Sequence, residues 1–101
     1  MYEFMELVRY MWELVMKADT FAREACENKH DHPDLAAAYF RLSSDMLTDF
    51  DIMKKQAEMY VDEAEKAQHE DLDKMDCLWS VDHPRLMDEV HRVKVRQEMY
   101  R

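Results

Sequence analysis

Apolar residues recur along the first part of the chain at a spacing that places them on one face of a helix. Phe4, Met11, Ala18 and Ala25 form one column with an interval of seven residues. Further apolar residues follow the same interval in the two neighbouring columns. This pattern predicts an amphipathic helix of about 25 residues that begins near residue 4.

Three large apolar residues of this first helix, Met5, Trp12 and Met16, lie beside the main column rather than in it. Two intramolecular neighbours do not require so wide an apolar face, and a chain of 101 residues has a limited core. We therefore predict that these three residues form the interface of a homodimer.

A second helix is predicted after the turn at residues 28–33, because Pro33 is suited to a first helical position that needs no N–H donor. Its apolar residues alternate at spacings of three and four, which is typical of helices packed lengthwise. The predicted contact face consists of Leu35, Tyr39, Leu42, Met46, Phe50, Met53, Ala57, Tyr60, Ala64 and Ala67. We expect this helix to reach about residue 67, with the next turn in the polar run between residues 62 and 71.

The last segment repeats apolar residues at intervals of seven, and the phase does not change at Pro84. These residues are Leu72, Trp79, Leu86, Val93 and Tyr100. Because a loop would have reset the phase, we predict one helix over residues 71–101, kinked where Pro84 removes the hydrogen bond to the carbonyl of Ser80. The alternative is a break just before Pro84, since the tripeptide Asp-His-Pro found there also occurs at residues 31–33.

The composition restricts the fold class. The chain contains no Gly and only two Pro, so it lacks the residues on which tight hairpins and phosphate-binding loops depend. We predict a single all-α domain over residues 1–101: an antiparallel three-helix bundle, or a four-helix bundle if Pro84 breaks the last helix. No run approaches the ~18 uninterrupted apolar residues of a membrane span, so no membrane segment is expected.

The chain carries 23 acidic and 14 basic side chains, a formal net charge of −9. Direct binding to nucleic acid is disfavoured, because phosphate contacts require a cationic face. The acidic run between Asp62 and Asp76 instead suits a protein partner with a basic surface, in the manner of a nucleic-acid mimic. Two cysteines, Cys26 and Cys77, lie far apart without metal-ligand spacing, which favours a reducing, cytoplasmic environment.

Four residues are candidate metal ligands, whereas no pattern of a catalytic nucleophile is visible and no catalytic residue is predicted. Asp49 and His83 interrupt the apolar faces of the second and third helices, and Glu13 and Asp19 lie on the flank of the first. Carboxylates and imidazoles inside a bundle suit iron or manganese. The alternative interpretation is structural: Asp49 lies at the rim beside a buried Phe50, and His83 is a helix cap or an interior histidine.

The run Pro33-Asp34-Leu35-Ala36, followed by Tyr39, Leu42 and Leu47, resembles the small ferritin-like helical proteins encoded in bacterial phages and prophages. Lys94 and the segment Glu98-Met99-Tyr100-Arg101 extend this resemblance, which covers residues 18–101. It implies a ferritin-like scaffold and, for a phage-encoded protein, a place in the host cell cytoplasm.

In ferritin-like families the second helix carries a Glu-x-x-His pair, whose positions correspond to Met46 and Asp49 in this chain. The resemblance also implies that His83, preceded by Asp82, matches the acidic-His step of the last helix, and that Asp19 matches an acidic residue of the first. Because the Glu-x-x-His pair is replaced, ferroxidase activity is not expected.

These observations together predict a non-catalytic binding or structural protein that acts through protein–protein contacts and needs no cofactor. A non-haem metal-binding ferritin-like protein is the first alternative. An acidic inhibitor that mimics nucleic acid against a host protein is the second.

Overall fold

The computed structural model describes residues 1–101 and consists of three helices joined by two short turns. Helix α1 spans Tyr2–Asn28, α2 spans Pro33–Lys66 and α3 spans Leu72–Tyr100. The prediction of an all-α bundle is confirmed. None of the three helices has an apolar stretch long enough to cross a bilayer.

Helix α3 continues through Pro84 without interruption. The prediction of one helix over this segment is therefore confirmed, and the four-helix alternative is wrong. The constant heptad phase on both sides of the proline was the correct guide, because the same face of α3 packs on the bundle before and after it. The kink at Pro84 and the ferritin-like assignment remain predictions.

The turn between α2 and α3 is built without glycine. Gln68 takes a left-handed backbone conformation with a φ of 50°. Its N–H donates to the carbonyl of Glu65 at 3.2 Å, and the N–H of His69 donates to the carbonyl of Ala64 at 2.9 Å. This pair of bonds is a Schellman motif, which satisfies the last carbonyls of α2 and usually places Gly where Gln68 stands.

Helix α1 is the central element, because it packs on both other helices while α2 and α3 touch each other least. The rings of Phe4 and Trp79 lie 6.1 Å apart near one end, and Cys26 lies 3.4 Å from the carbonyl of Arg96 towards the other. Helices α1 and α3 are therefore parallel, and α2 runs antiparallel to both. The result is a rod of 55 × 17 × 16 Å.

The buried face of α2 follows a strict interval of seven residues. Its members are Ala36, Ser43, Phe50, Ala57 and Ala64. From Phe50 onward the predicted Phe50, Ala57 and Ala64 are buried, whereas the predicted Tyr60 and Ala67 are exposed. Before Phe50 the prediction is wrong by one position. Ala36 and Ser43 are buried, whereas the predicted Leu35 and Leu42 are 45% and 39% exposed.

Small side chains explain this difference. Helix α1 contributes Ala18, Ala22 and Ala25 to the core, all fully buried. Opposite them, Ala36 and Ser43 of α2 leave little bulk between the two backbones. Close packing of the helices is worth more here than burial of a longer side chain that would hold them apart.

Candidate functional site

The four candidate metal ligands are dispersed in the structure. Glu13 and Asp49 are exposed, whereas Asp19 and His83 are half-buried. They do not assemble, since the structure contains no group of three or more His, Cys, Asp or Glu side chains that could hold a metal ion. Metal binding by Asp49, His83, Glu13 and Asp19 remains a prediction that only metal analysis can test.

Two of these residues have clear structural surroundings. Phe50 is fully buried, so the neighbouring Asp49 is turned to the surface of α2. The carboxylate of Asp19 accepts from Arg23 Nη2 at 2.7 Å and lies 2.8 Å from Arg96 Nε. Asp19 is therefore linked to α3 through Arg96, and to the next turn of its own helix through Arg23.

His83 lies within α3 and stacks on Trp79, with ring centroids 4.8 Å apart and an interplanar angle of 16°. Its Nε2 is buried and has no hydrogen-bond partner. His83 is thus an interior histidine rather than a helix cap, although one ring nitrogen is unpaired.

The predicted interface residues lie on one side of the rod. Met5 and Met16 are 50% and 55% exposed, and Trp12 is half-buried. Met5 and Trp12 line a groove of about 300 Å³ together with Leu78 and Asp82 of α3. The apolar surface predicted on α1 therefore continues onto α3.

Arginines surround this apolar surface. We call the combined set the arginine surface; it consists of Met5, Trp12, Met16, Leu78, Met99, Arg9, Arg23, Arg85, Arg92 and Arg96. It holds five of the seven arginines of the chain and none of its seven lysines. Arg, Met and Trp are enriched at protein interfaces and Lys is depleted there, so these residue types suit a contact site.

Carboxylates are paired with most arginines of the arginine surface. Asp19, Asp82 and Glu89 lie among its five arginines, and Glu6 and Glu13 border it beside Arg9. Arg92 contacts Glu89 at 2.7 Å, and Arg9 lies 3.6 Å from the carboxylates of Glu6 and Glu13.

Arg85 differs from the other four arginines of this surface. It is exposed and makes no ion pair inside the chain, whereas the others each contact a carboxylate. Because its guanidinium has no ion pair within the chain, Arg85 is the group of this surface most available to a carboxylate from another molecule.

Further exposed apolar residues lie on α2 and on the opposite flank of α1. They are Tyr10, Leu35, Leu42, Ile52, Met59 and Tyr60. Among them lie five carboxylates and two lysines, a net charge of −3; these residues are Glu3, Glu24, Asp45, Asp49, Glu63, Lys17 and Lys66. We call this set the acidic surface.

Tyr60 marks the end of the acidic surface near the N-terminus of α1. Its hydroxyl lies 3.3 Å from Glu3 Oε2. The negative charge of Glu3 raises the pKa of Tyr60, since ionisation would place two anions side by side. The raised pKa keeps the hydroxyl protonated, and able to donate to Glu3, up to a higher pH than in an ordinary tyrosine.

Sequence reasoning missed most of both surfaces. A signal for the first was present, because Arg9, Met16 and Arg23 share one interval of seven and Arg85, Arg92 and Met99 share another. Only the register between α1 and α3 shows that the two columns are neighbours. The chain matches no protein-family model, no curated protein and no solved structure.

Proposed function

We propose that this chain is a non-catalytic interaction protein that binds a second copy of itself through the arginine surface. The observation that carries this proposal is the exposure of Met5 and Met16 on either side of Trp12. Contiguous exposed apolar side chains next to arginines are the usual composition of a protein contact site.

The shape of the molecule supports the same function. The chain exposes 6826 Å², whereas a monomer of 12.3 kDa is expected to expose about 6,100 Å². Its radius of gyration is 16.1 Å, against about 13 Å for a compact chain of this length. A long side of the rod can therefore supply the ~800 Å² that a stable interface needs from each partner.

Association through this surface is tested by one substitution and its matched control. Met16→Glu places a charge within the arginine surface and should lower the mass measured by light scattering from about 25 kDa or more to that of the 12.3 kDa monomer. Thr48→Glu adds the same charge at an exposed position of α2 outside the arginine surface and should leave the mass unchanged. Equal masses for wild type and Met16→Glu would overturn the proposal.

We propose that this interaction protein is phage-encoded, has a ferritin-like scaffold and acts in the host cytoplasm. The support is the resemblance over residues 18–101 and the lengthwise packing of α1 and α2. Free thiols at Cys26 and Cys77 suit a reducing compartment.

A second candidate function, an acidic mimic of nucleic acid, is favoured by the charge distribution. One half of the rod contains residues 1–14 and 50–85 and holds 13 acidic and 6 basic side chains, a net charge of −7. The other half holds 10 acidic and 8 basic side chains, a net charge of −2. The negative electrostatic potential of the more acidic half attracts basic protein surfaces.

This second candidate predicts displacement of labelled duplex DNA from basic nucleic-acid-binding proteins. Asp62, Glu65 and Glu70 are exposed at the acidic end, and their joint replacement by Asn, Gln and Gln should abolish the displacement. Failure to displace DNA from every member of a panel of such proteins would contradict the mimic.

A further inference from the structure

We propose that the turn between α2 and α3 is a hinge. When it straightens, α3 leaves its own bundle and packs on α1 and α2 of a second copy. The exchange is mutual, so the product is a dimer in which each α3 occupies the place of the other. This inference is independent of the proposed function, because it reuses the contacts that α3 makes within one chain and requires no contact between two arginine surfaces.

The turn is short and holds a residue in an unfavourable conformation. It consists of residues 67–71, none of which is Gly or Pro, so each of them is able to continue a helix. Gln68 has a φ of 50°, which is disfavoured for a residue with a Cβ. Straightening returns Gln68 to the right-handed conformation. Short hinges under such strain favour the exchange of an element between copies.

Straightening also supplies backbone partners at the start of α3. No side chain caps this helix, and the N–H groups of Asp73 and Lys74 make no backbone hydrogen bond in the turn. In a continuous helix these two groups donate to the carbonyls of His69 and Glu70. The extended form therefore gains hydrogen bonds that the turn lacks.

The buried faces of α2 and α3 lie on the same side of the straightened helix. Phe50 and Leu86 are both fully buried, each near the middle of its own buried face. They are 36 residues apart, which is ten turns of an uninterrupted helix, so they point in the same direction. Such a helix over residues 33–100 is about 100 Å long. It packs first on its own α1 and then on α1 of the second copy.

Helix α3 is the element most readily released from the bundle. It contributes four buried residues, whereas α1 contributes eight. Pro84 removes one backbone hydrogen bond from its middle, and the adjacent His83 buries a ring nitrogen without a partner. The hairpin of α1 and α2 is therefore the receiving unit, and α3 is the exchanged one.

The turn offers a substitution that blocks the hinge and suits the closed bundle. The N–H of Leu72 donates to the carbonyl of His69 at 3.1 Å, and Asp71 has a φ of −90° and a ψ of 1°, as in the third residue of a type I turn. Glu70 is thus the second residue of this turn, where proline is favoured, and its N–H makes no backbone hydrogen bond there. In a continuous helix, a proline here loses the bond to the carbonyl of Lys66 and clashes with it. Glu70→Ala is the matched control, because it removes the same charge and permits the helix.

A cross-link reports which chain supplies α3. Arg96 Nε of α3 lies 2.8 Å from Asp19 Oδ1 of α1, so Arg96→Lys places an amine where a carbodiimide joins it to that carboxylate. Unlabelled and heavy-nitrogen-labelled chains carrying Arg96→Lys are unfolded in urea, refolded together at millimolar concentration and separated into monomer and dimer. Mass spectrometry then identifies the cross-linked peptides of positions 19 and 96. A peptide pair that carries both labels comes from two chains, and a pair with one label throughout comes from α3 on its own bundle.

We expect pairs with both labels in the dimer of the Arg96→Lys chain and of its combination with Glu70→Ala. Addition of Glu70→Pro should lower the yield of this dimer by about tenfold or more, because a proline interrupts the extended helix of both copies. Gln68→Gly, which relieves the left-handed residue, should also lower the yield. It replaces Glu70→Pro if that variant melts well below its control.

The contrary results separate this inference from the proposed function. A dimer whose peptide pairs carry one label only, or the absence of any dimer after refolding, would overturn the exchange of α3. An exchanged dimer formed equally well with Glu70→Pro and with Gln68→Gly would overturn the hinge. Peptide pairs with both labels, together with equal masses of wild type and Met16→Glu in light scattering of natively purified protein, would overturn the proposed function and leave the exchange standing.

Discussion

The hydroxyl of Ser43 in α2 donates a hydrogen bond to the backbone carbonyl of Ala18 in α1, 2.7 Å away. The same oxygen accepts from Gln97 Nε2 of α3 at 3.0 Å. Ser43 is fully buried, and it is the one polar residue of the buried core. A single side chain therefore links all three helices at the point where α1 and α2 approach closely.

Removal of this hydroxyl should destabilise the bundle. Ser43→Ala deletes both hydrogen bonds and leaves the Gln97 amide without its partner, at a cost of about 1–2 kcal/mol. The melting temperature should fall by roughly 4–8 °C per kcal/mol for a domain of this size. Ser44→Ala, at the half-buried neighbouring position, is the control and should change the melting temperature little.

The Ser43 contact also shows where the sequence pattern stops being informative. Leu35 and Leu42 are more apolar than Ala36 and Ser43, so periodicity alone assigns the leucines to the core. One residue along a helix turns the side chain by about 100°. The choice between adjacent columns depends on how closely α1 approaches, which is a property of the assembled bundle.

The same argument applies to Asp49 and Phe50. The sequence predicts that one of these two adjacent residues lies in the core, but it does not decide between Asp49 and Phe50. Helix bounds and fold class were predictable because they depend on local signals: the heptad phase, Pro33 and the absence of Gly. The arginine surface was not predictable, because its two halves become neighbours only through the register of α1 against α3.

The left-handed turn residue offers a stabilising substitution. Gln68 has a φ of 50°, a conformation that costs a residue with a Cβ about 1 kcal/mol relative to Gly. Gln68→Gly should therefore raise the free energy of unfolding by roughly that amount, measured by urea denaturation. Gln56→Gly, within α2, should lower it by about 1 kcal/mol, and a loss of stability in both variants would contradict the role of this turn.

The two cysteines should remain unlinked within a chain. Cys26 Sγ lies 3.4 Å from the carbonyl of Arg96, and Cys77 precedes Arg96 by 19 residues of the same helix, or about 28 Å at 1.5 Å per residue. A disulfide requires Cα atoms within about 7 Å. Under oxidising, non-reducing conditions, a monomer mass lower by two hydrogens with a Cys26–Cys77 peptide would refute the topology.

Metal content separates an interaction protein from a ferritin-like metalloprotein. Because Asp49 is exposed and Asp19 is engaged by two arginines, we expect less than about 0.2 equivalents of iron, manganese or zinc in untagged protein. Asp49→Asn should then leave the melting temperature nearly unchanged. Near-stoichiometric metal that is lost in both Asp49→Asn and His83→Ala would instead establish the metal-binding alternative.

Sedimentation equilibrium of the wild-type chain over a range of concentrations tests the central claim most directly. If the arginine surface is an association site, the weight-average mass rises with concentration and reaches about 25 kDa, twice the 12.3 kDa of one chain, at tens of micromolar. A mass that stays at 12.3 kDa throughout would contradict it.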